Sequence, residues 1–174
     1  MFTDPIKNLR AFGLGENMIV ADLGAGSGHY SIPIAKMVSK GKVYAIEIQK
    51  DFLTTIKNKA AEAHVNNIEF LLGNVEKKGG TKLKDSIVDA VVASNILFQV
   101  EDKNGFIEEI KRILKPGGKV ILIDWSSSVS SMPINFESIV SRNKAREMFE
   151  EKGFVYKQEI DAGSYHYGII LSKS

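Results

Sequence analysis

The stretch Val20-Ala21-Asp22-Leu23-Gly24-Ala25-Gly26-Ser27-Gly28-His29-Tyr30 decides how this chain is read. An apolar run of strand length, Met18 to Leu23, ends on glycines at alternate positions, and a segment of helical character, His29 to Ser39, follows. Pro33 is tolerable there only because it falls near the helix's first turn. Glycine between a strand and a helix removes side chains where a ligand would touch backbone, and it leaves free amides facing that ligand. A plain tight turn is the competing reading of the same glycines. The dinucleotide fingerprint G-x-G-x-x-G would need its third small residue at position 29, where this chain has His29. A ligand without a pyrophosphate makes no such demand, so the spacing favours an adenosine that carries an amino-acid tail. Glu47, at the end of the next strand, stands where a carboxylate accepts from both ribose hydroxyls, although the position also suits a solvent-facing strand end.

Beyond this turn, strand-length apolar runs alternate with amphipathic segments. Strands are expected at Lys42 to Glu47, Ile68 to Leu72, Ile87 to Ala93 and Lys119 to Asp124. Helices are expected at about Asp51 to His64, with Leu53, Ile56, Ala60 and Ala63 on one side, and along the face Phe106, Ile107, Ile110, Ile113 and Leu114. Lys115-Pro116-Gly117-Gly118 reads as the turn before strand five. A last helix near Asn143 to Lys152 stops at Gly153, and strands Phe154 to Ile160 and Tyr165 to Leu171 pair as a hairpin. The alternation predicts an α/β fold whose mainly parallel sheet carries helices on both faces. Residues 76 to 86, rich in lysine, read as a solvated polar connector, since no aromatic residues interleave with the lysines. The Ser-rich stretch 126 to 131 reads as a mobile loop.

The bulk properties exclude several classes. With 174 residues, 44% of them hydrophobic, one core and a single domain over residues 1–174 are the economical expectation. The chain has no cysteine, which rules out disulfides, thiolate zinc sites and cysteine nucleophiles and suits a reducing cytoplasm. His29, His64 and His166 are far apart, so no metal site is expected. A net charge of +2 is too small to argue for nucleic acid or an anionic membrane as partner. The first residues are charged and mixed rather than basic then apolar, and the longest uncharged run, Ala90 to Val100, falls well short of a membrane span.

Several separated stretches together resemble class I S-adenosylmethionine-dependent methyltransferases, in particular the small-molecule enzymes of ubiquinone and menaquinone biosynthesis. Val20 to Gly28 resembles the first motif, and Val43-Tyr44-Ala45-Ile46-Glu47-Ile48 resembles the second, with its ribose-binding acid. Leu72-Gly73-Asn74-Val75-Glu76 is similar to the segment whose first polar residue meets the adenine amino group, here Asn74 where the family usually has Asp. Asp89 to Leu97 is similar to the fourth motif, and Leu114 to Lys119 to the turn before strand five. The resemblance implies a Rossmann-like three-layer αβα sandwich, a seven-stranded mostly parallel sheet with the last strand antiparallel beside strand five. It also implies S-adenosyl-L-methionine as cofactor, held by Asp22, Gly24, Ala25, Gly26, Gly28, Tyr30, Glu47, Ile48, Asn74, Val75, Ser94 and Asn95. Ligands in open sheets bind beyond the carboxyl ends of the strands, which makes Asp124, Trp125, Tyr165 and His166 the expected acceptor side.

Ser94-Asn95-Ile96-Leu97 departs from the Asn/Asp-Pro-Pro-aromatic signature of enzymes that methylate exocyclic amines, which argues against a nucleobase-amine acceptor. The expected function is methyl transfer to a small molecule in the cytoplasm. The competing readings are methylation of RNA or protein, a binding module for the cofactor without turnover, and, more distantly, a nicotinamide dehydrogenase. No residue is assigned as catalytic, because the methyl group already sits on a sulfonium and the protein's task is alignment.

Overall fold

The computed structural model describes residues 3–126 and 135–174, so the expected Ser-rich loop lies outside the described residues beyond Ser126. The order of elements is α1 (Pro5–Phe12), β1 (Ile19–Leu23), α2 (Ser31–Met37), β2 (Lys42–Glu47), α3 (Lys50–Glu62), β3 (Ile68–Leu72), β4 (Val88–Ser94), α4 (Lys103–Ile113), β5 (Leu114–Trp125), a short 3₁₀ turn (Phe136–Ser138), α5 (Arg142–Glu151), β6 (Phe154–Ile160) and β7 (His166–Lys173). The seven strands form one sheet in the order β3-β2-β1-β4-β5-β7-β6. The first five pair in parallel, and β7 runs antiparallel between β5 and β6.

Period-two alternation divides each central strand between two faces. Val20 and Val43 meet α1 and α2 on one face, where Leu9, Phe12, Ile34 and Ala35 are buried. Ala45 packs beside them against Leu53 and Ile56 of α3. Ala21, Leu23, Tyr44 and Ile46 meet Phe106, Ile110 and Phe149 of α4 and α5 on the other. The sheet therefore lies between two helical layers. The strand order reverses at β1, whose neighbours are β2 and β4, and that reversal opens a crevice beyond their carboxyl ends.

Two expectations change. The expected turn Lys115 to Gly118 lies inside β5, because Leu114 already pairs with Val88 before Lys119 pairs with Ala90. The residues between form a bulge opposite Asp89, whose carboxylate accepts from Lys115 Nζ and from the Ile19 N–H, both at 2.8 Å. The connector 76–86 does expose its lysines, but it buries Thr81 and Leu83.

Helix α1 was not expected. Its signals are local: Asp4 accepts from the Ile6 and Lys7 N–H groups as N-cap, Pro5 occupies the first turn, and Gly13 closes the helix at φ 79°. Among the described residues no helix is long and apolar enough to cross a membrane.

Candidate active site

The turn after β1 hangs from the end of β2: Gly24 and Ala25 both donate their N–H groups to the Ile46 carbonyl, at 2.9 and 3.0 Å. Its glycines do three different jobs. A methyl group at Gly24 would lie 2.2 Å from Ile96 Cδ1, so this position admits Ile96; one at Gly28 would press on Ile56 of α3 at 3.3 Å. Gly26, at φ 53°, would project a methyl into open space, with nothing nearer than the Gly24 carbonyl at 4.0 Å. The bare backbone facing a ligand is therefore at Gly26.

Of the residues expected to hold the cofactor, all but Gly28 line one cleft of about 620 Å³. That volume suits a nucleoside-sized ligand. Two carboxylates stand on its floor. Asp22 is buried and accepts from the Ser31 hydroxyl at 2.5 Å. Burial pushes its carboxyl up to about 7; Ser31 opposes the rise and the charge of Glu47 adds to it. Glu47, also buried, accepts from Gly26 N–H at 2.8 Å through Oε2, and from Ile48 and Gln49 N–H at 2.9 and 3.1 Å through Oε1. A carboxylate offers about four lone-pair sites, so Glu47 keeps one for a hydroxyl and gains a second by releasing one of these amides.

At the other wall, Asn74 Oδ1 accepts from Glu76 N–H at 3.0 Å, and Val75 is buried beside it. Ile48 is 62% exposed and Phe52 38%, so both offer apolar surface at the mouth of the cleft. Phe52, Gln49, Ile96, Gln99, Val100 and Glu101 line the cleft but were not expected. Phe52 carried a signal, an aromatic one position off the buried stripe of Leu53, Ile56 and Ala60. Ile96 falls in the stretch that resembles the fourth motif, whereas residues 98–101 carry no signal, because they have no regular period.

Tyr30 closes the inner end. Its hydroxyl meets Thr3 Oγ1 at 3.1 Å and accepts from Asn8 Nδ2 at 2.9 Å, so α1 and Thr3, two residues ahead of it, anchor the cleft wall. Burial raises the Tyr30 pKa, against the effect of Thr3, Asn8 and Ser94. Asn95 sits at φ 54°, a left-handed conformation that Asn tolerates, and three bonds hold it there. Its N–H donates to the Ile123 carbonyl, its carbonyl accepts from Gln99 Nε2, and its Oδ1 meets His166 Nε2 at 2.8 Å.

His166 joins this cleft to a second depression of about 690 Å³, whose walls include Ser126, Arg142, Asp161, His166 and Tyr167. Trp125 stacks on the His166 ring with centroids 4.1 Å apart. Burial lowers the His166 pKa, which favours the neutral ring, and its Nδ1 is buried without a partner among the described residues. Asp124 lines neither cavity: it is buried and accepts from the Leu97 and Trp125 N–H groups, both at 2.8 Å, tying down the segment after β4. Tyr165 is exposed, and its carbonyl accepts from Ser126 N–H at 3.0 Å.

A family model described as a methyltransferase domain matches residues 14–162. Among solved structures, an S-adenosylmethionine-dependent methyltransferase from Aquifex aeolicus aligns at TM-score 0.90 and 30% identity, over 99% of this chain and 91% of that one. Arsenite methyltransferase of Homo sapiens is 30% identical over 136 residues, which is 70% of this chain and 36% of that protein. Demethylmenaquinone methyltransferase of Oceanobacillus iheyensis is 31% identical over 106 residues, 60% of this chain and 43% of that protein. The chain thus spans less than half the length of these two curated relatives.

Proposed function

The chain belongs to the S-adenosylmethionine-dependent methyltransferase family, and on that premise we propose that it transfers a methyl group from S-adenosylmethionine to a small-molecule acceptor in the cytoplasm. The observation that carries this reading is Gly26, whose bare backbone faces a cleft floored by Asp22 and Glu47. Those carboxylates suit the ribose and the amino-acid tail of an adenosyl amino acid: Glu47 binds one ribose hydroxyl on its free lone pair and the other by giving up a backbone amide, and Asp22 binds the cationic amino group. Asn74 takes the adenine amino group on its remaining lone pair, and Ile48, Val75 and Phe52 flank the base.

When bound, the cofactor supplies a methyl group on a sulfonium, so the chain's own work is orientation and exclusion of water. Tyr30 and Asn95 shape the inner end of the cleft, and His166, backed by the buried Trp125 ring, forms the step into the second depression, which we assign to the acceptor. His166 acts there by position, because Nε2 is committed to Asn95 and Nδ1 is buried. The acceptor then arrives as a nucleophile in its own right. Asp124 acts at one remove, by holding the backbone after β4.

The basic groups at the depression are already neutralised, Arg142 by Glu159 and Lys7 by Asp161, both at 2.6 Å, which favours a small acceptor over an anionic polymer. The names of the relatives suggest the first acceptors to try, arsenite and demethylmenaquinone, the latter in reduced form so that it is a nucleophile. The test is acceptor-dependent production of S-adenosylhomocysteine from methyl-labelled cofactor, followed by mass spectrometry. Label appearing in a small molecule is expected. Label appearing in RNA or protein instead, or cofactor binding with no turnover across all three acceptor classes, contradicts the proposal.

A further inference from the structure

The cleft wall Gly73–Glu76 lies on an irregular loop, yet that loop is fixed at a point away from the cleft. Glu109 and Arg112 lie one turn apart on α4, and the Glu109 side chain is fully buried. Its Oε2 accepts from Gly79 N–H at 2.9 Å, and its Oε1 accepts from Thr81 N–H at 3.3 Å and the Thr81 hydroxyl at 2.7 Å. Arg112 donates Nε and Nη2 to the same two oxygens at 2.8 and 2.7 Å, and it also reaches the Leu83 carbonyl and Asp85. Burial pushes the Glu109 carboxyl up, but Arg112, Thr81 and the two backbone amides outweigh it and hold the group at about 2.

The clamped side of the loop is rigidly joined to the side that faces the cleft. Asn74 N–H donates to the Gly80 carbonyl at 3.0 Å, Gly80 N–H to the Lys77 carbonyl at 2.8 Å, and Lys77 N–H to the Asn74 carbonyl at 3.3 Å. The two sides also touch backbone to backbone: a methyl at Gly80 would lie 1.9 Å from the Asn74 carbonyl oxygen, and one at Gly73 2.3 Å from that of Gly80. A displacement of Gly79–Thr81 is therefore passed to Gly73–Asn74. Glu76 extends the link across the cleft, since its carboxylate accepts from the Glu101 N–H.

A buried carboxylate–guanidinium pair gives little net stability, because desolvation offsets most of its attraction. What the pair does supply is a fixed placement for the backbone amides it holds. We propose that Glu109 and Arg112 are positioning residues that set the enzyme's affinity for the adenosine half of its cofactor by fixing the Gly73–Glu76 wall. This rests on the reading above that the base lies against Asn74.

Titration calorimetry with S-adenosylhomocysteine and with adenosine tests it, under conditions where circular dichroism shows wild type and E109Q equally folded. E109Q is expected to raise Kd for both probes by about tenfold, as misplaced positioning groups do. The ratio Kd(adenosine)/Kd(S-adenosylhomocysteine), which reports what the tail adds, is expected to stay at its wild-type value. A folded E109Q with wild-type affinity for adenosine overturns the proposal, and so does a changed ratio, which marks general loosening of the site. If E109Q does not fold, R112K, which keeps the charge and loses the fork, is held to the same two outcomes. Wild-type protein that binds neither probe overturns the cofactor reading and this inference together.

Discussion

Burial holds the Asp22 carboxyl at about 7, far above an exposed aspartate, and the proximity of Glu47 adds to the effect. The folded chain therefore keeps a proton on Asp22 that the unfolded chain releases near pH 4. Between those values the folded state binds more protons, so this group makes stability fall as pH rises from about 4 to about 7, with the full cost present above pH 7. We expect D22N to melt higher than wild type at pH 8, by on the order of 1–2 kcal/mol or roughly 2–8 °C, and to lose that advantage at pH 4. Thermal melts of the two proteins at both pH values check this. The same carboxylate binds the cofactor's cationic amino group only when ionised. Wild-type affinity for S-adenosylmethionine should thus rise between pH 5.5 and 7, where the ligand's amine stays protonated, and D22N should show a flat profile. A flat wild-type profile would remove Asp22 from that role.

At the scale of elements, Tyr30 shows how an unexpected helix enters the site. Y30F removes a hydroxyl that Thr3 and Asn8 share, and the loss should cost about 1–2 kcal/mol in urea unfolding. An unchanged midpoint would mean that α1 does not anchor the cleft wall. Strong periodicity made β2, β3 and β6 legible to the residue. Helix α1 was legible only through its caps, Asp4 and Gly13, because eight residues give too short a period to stand out from a charged segment. Lys115 to Gly118 carries turn chemistry that the structure uses as a bulge, since Val88 captures Leu114 before the turn begins. The Asp22 to Gly28 cradle could be read from spacing, whereas the Glu109 clamp could not. Its partners, Gly79 and Thr81, lie 28 to 30 residues away and leave no pattern in sequence.

At the scale of the whole molecule, the strand reversal at β1 and the antiparallel β7 set two cavities side by side, with the Asn95–His166 bond between them. A ligand that occupies the first cavity binds only the folded chain and must stabilise it by mass action. S-adenosylhomocysteine at 100 times its Kd should add about 2.7 kcal/mol, or roughly 5–10 °C in Tm. If bare backbone at Gly26, above Asp22 and Glu47, receives the adenosyl amino acid, a side chain placed there must block it. The deciding experiment is calorimetry of S-adenosylhomocysteine with wild type and with Gly26→Leu. Wild type should bind one equivalent and the variant none, with the variant still folded by circular dichroism. Equal binding by the two proteins would contradict this reading.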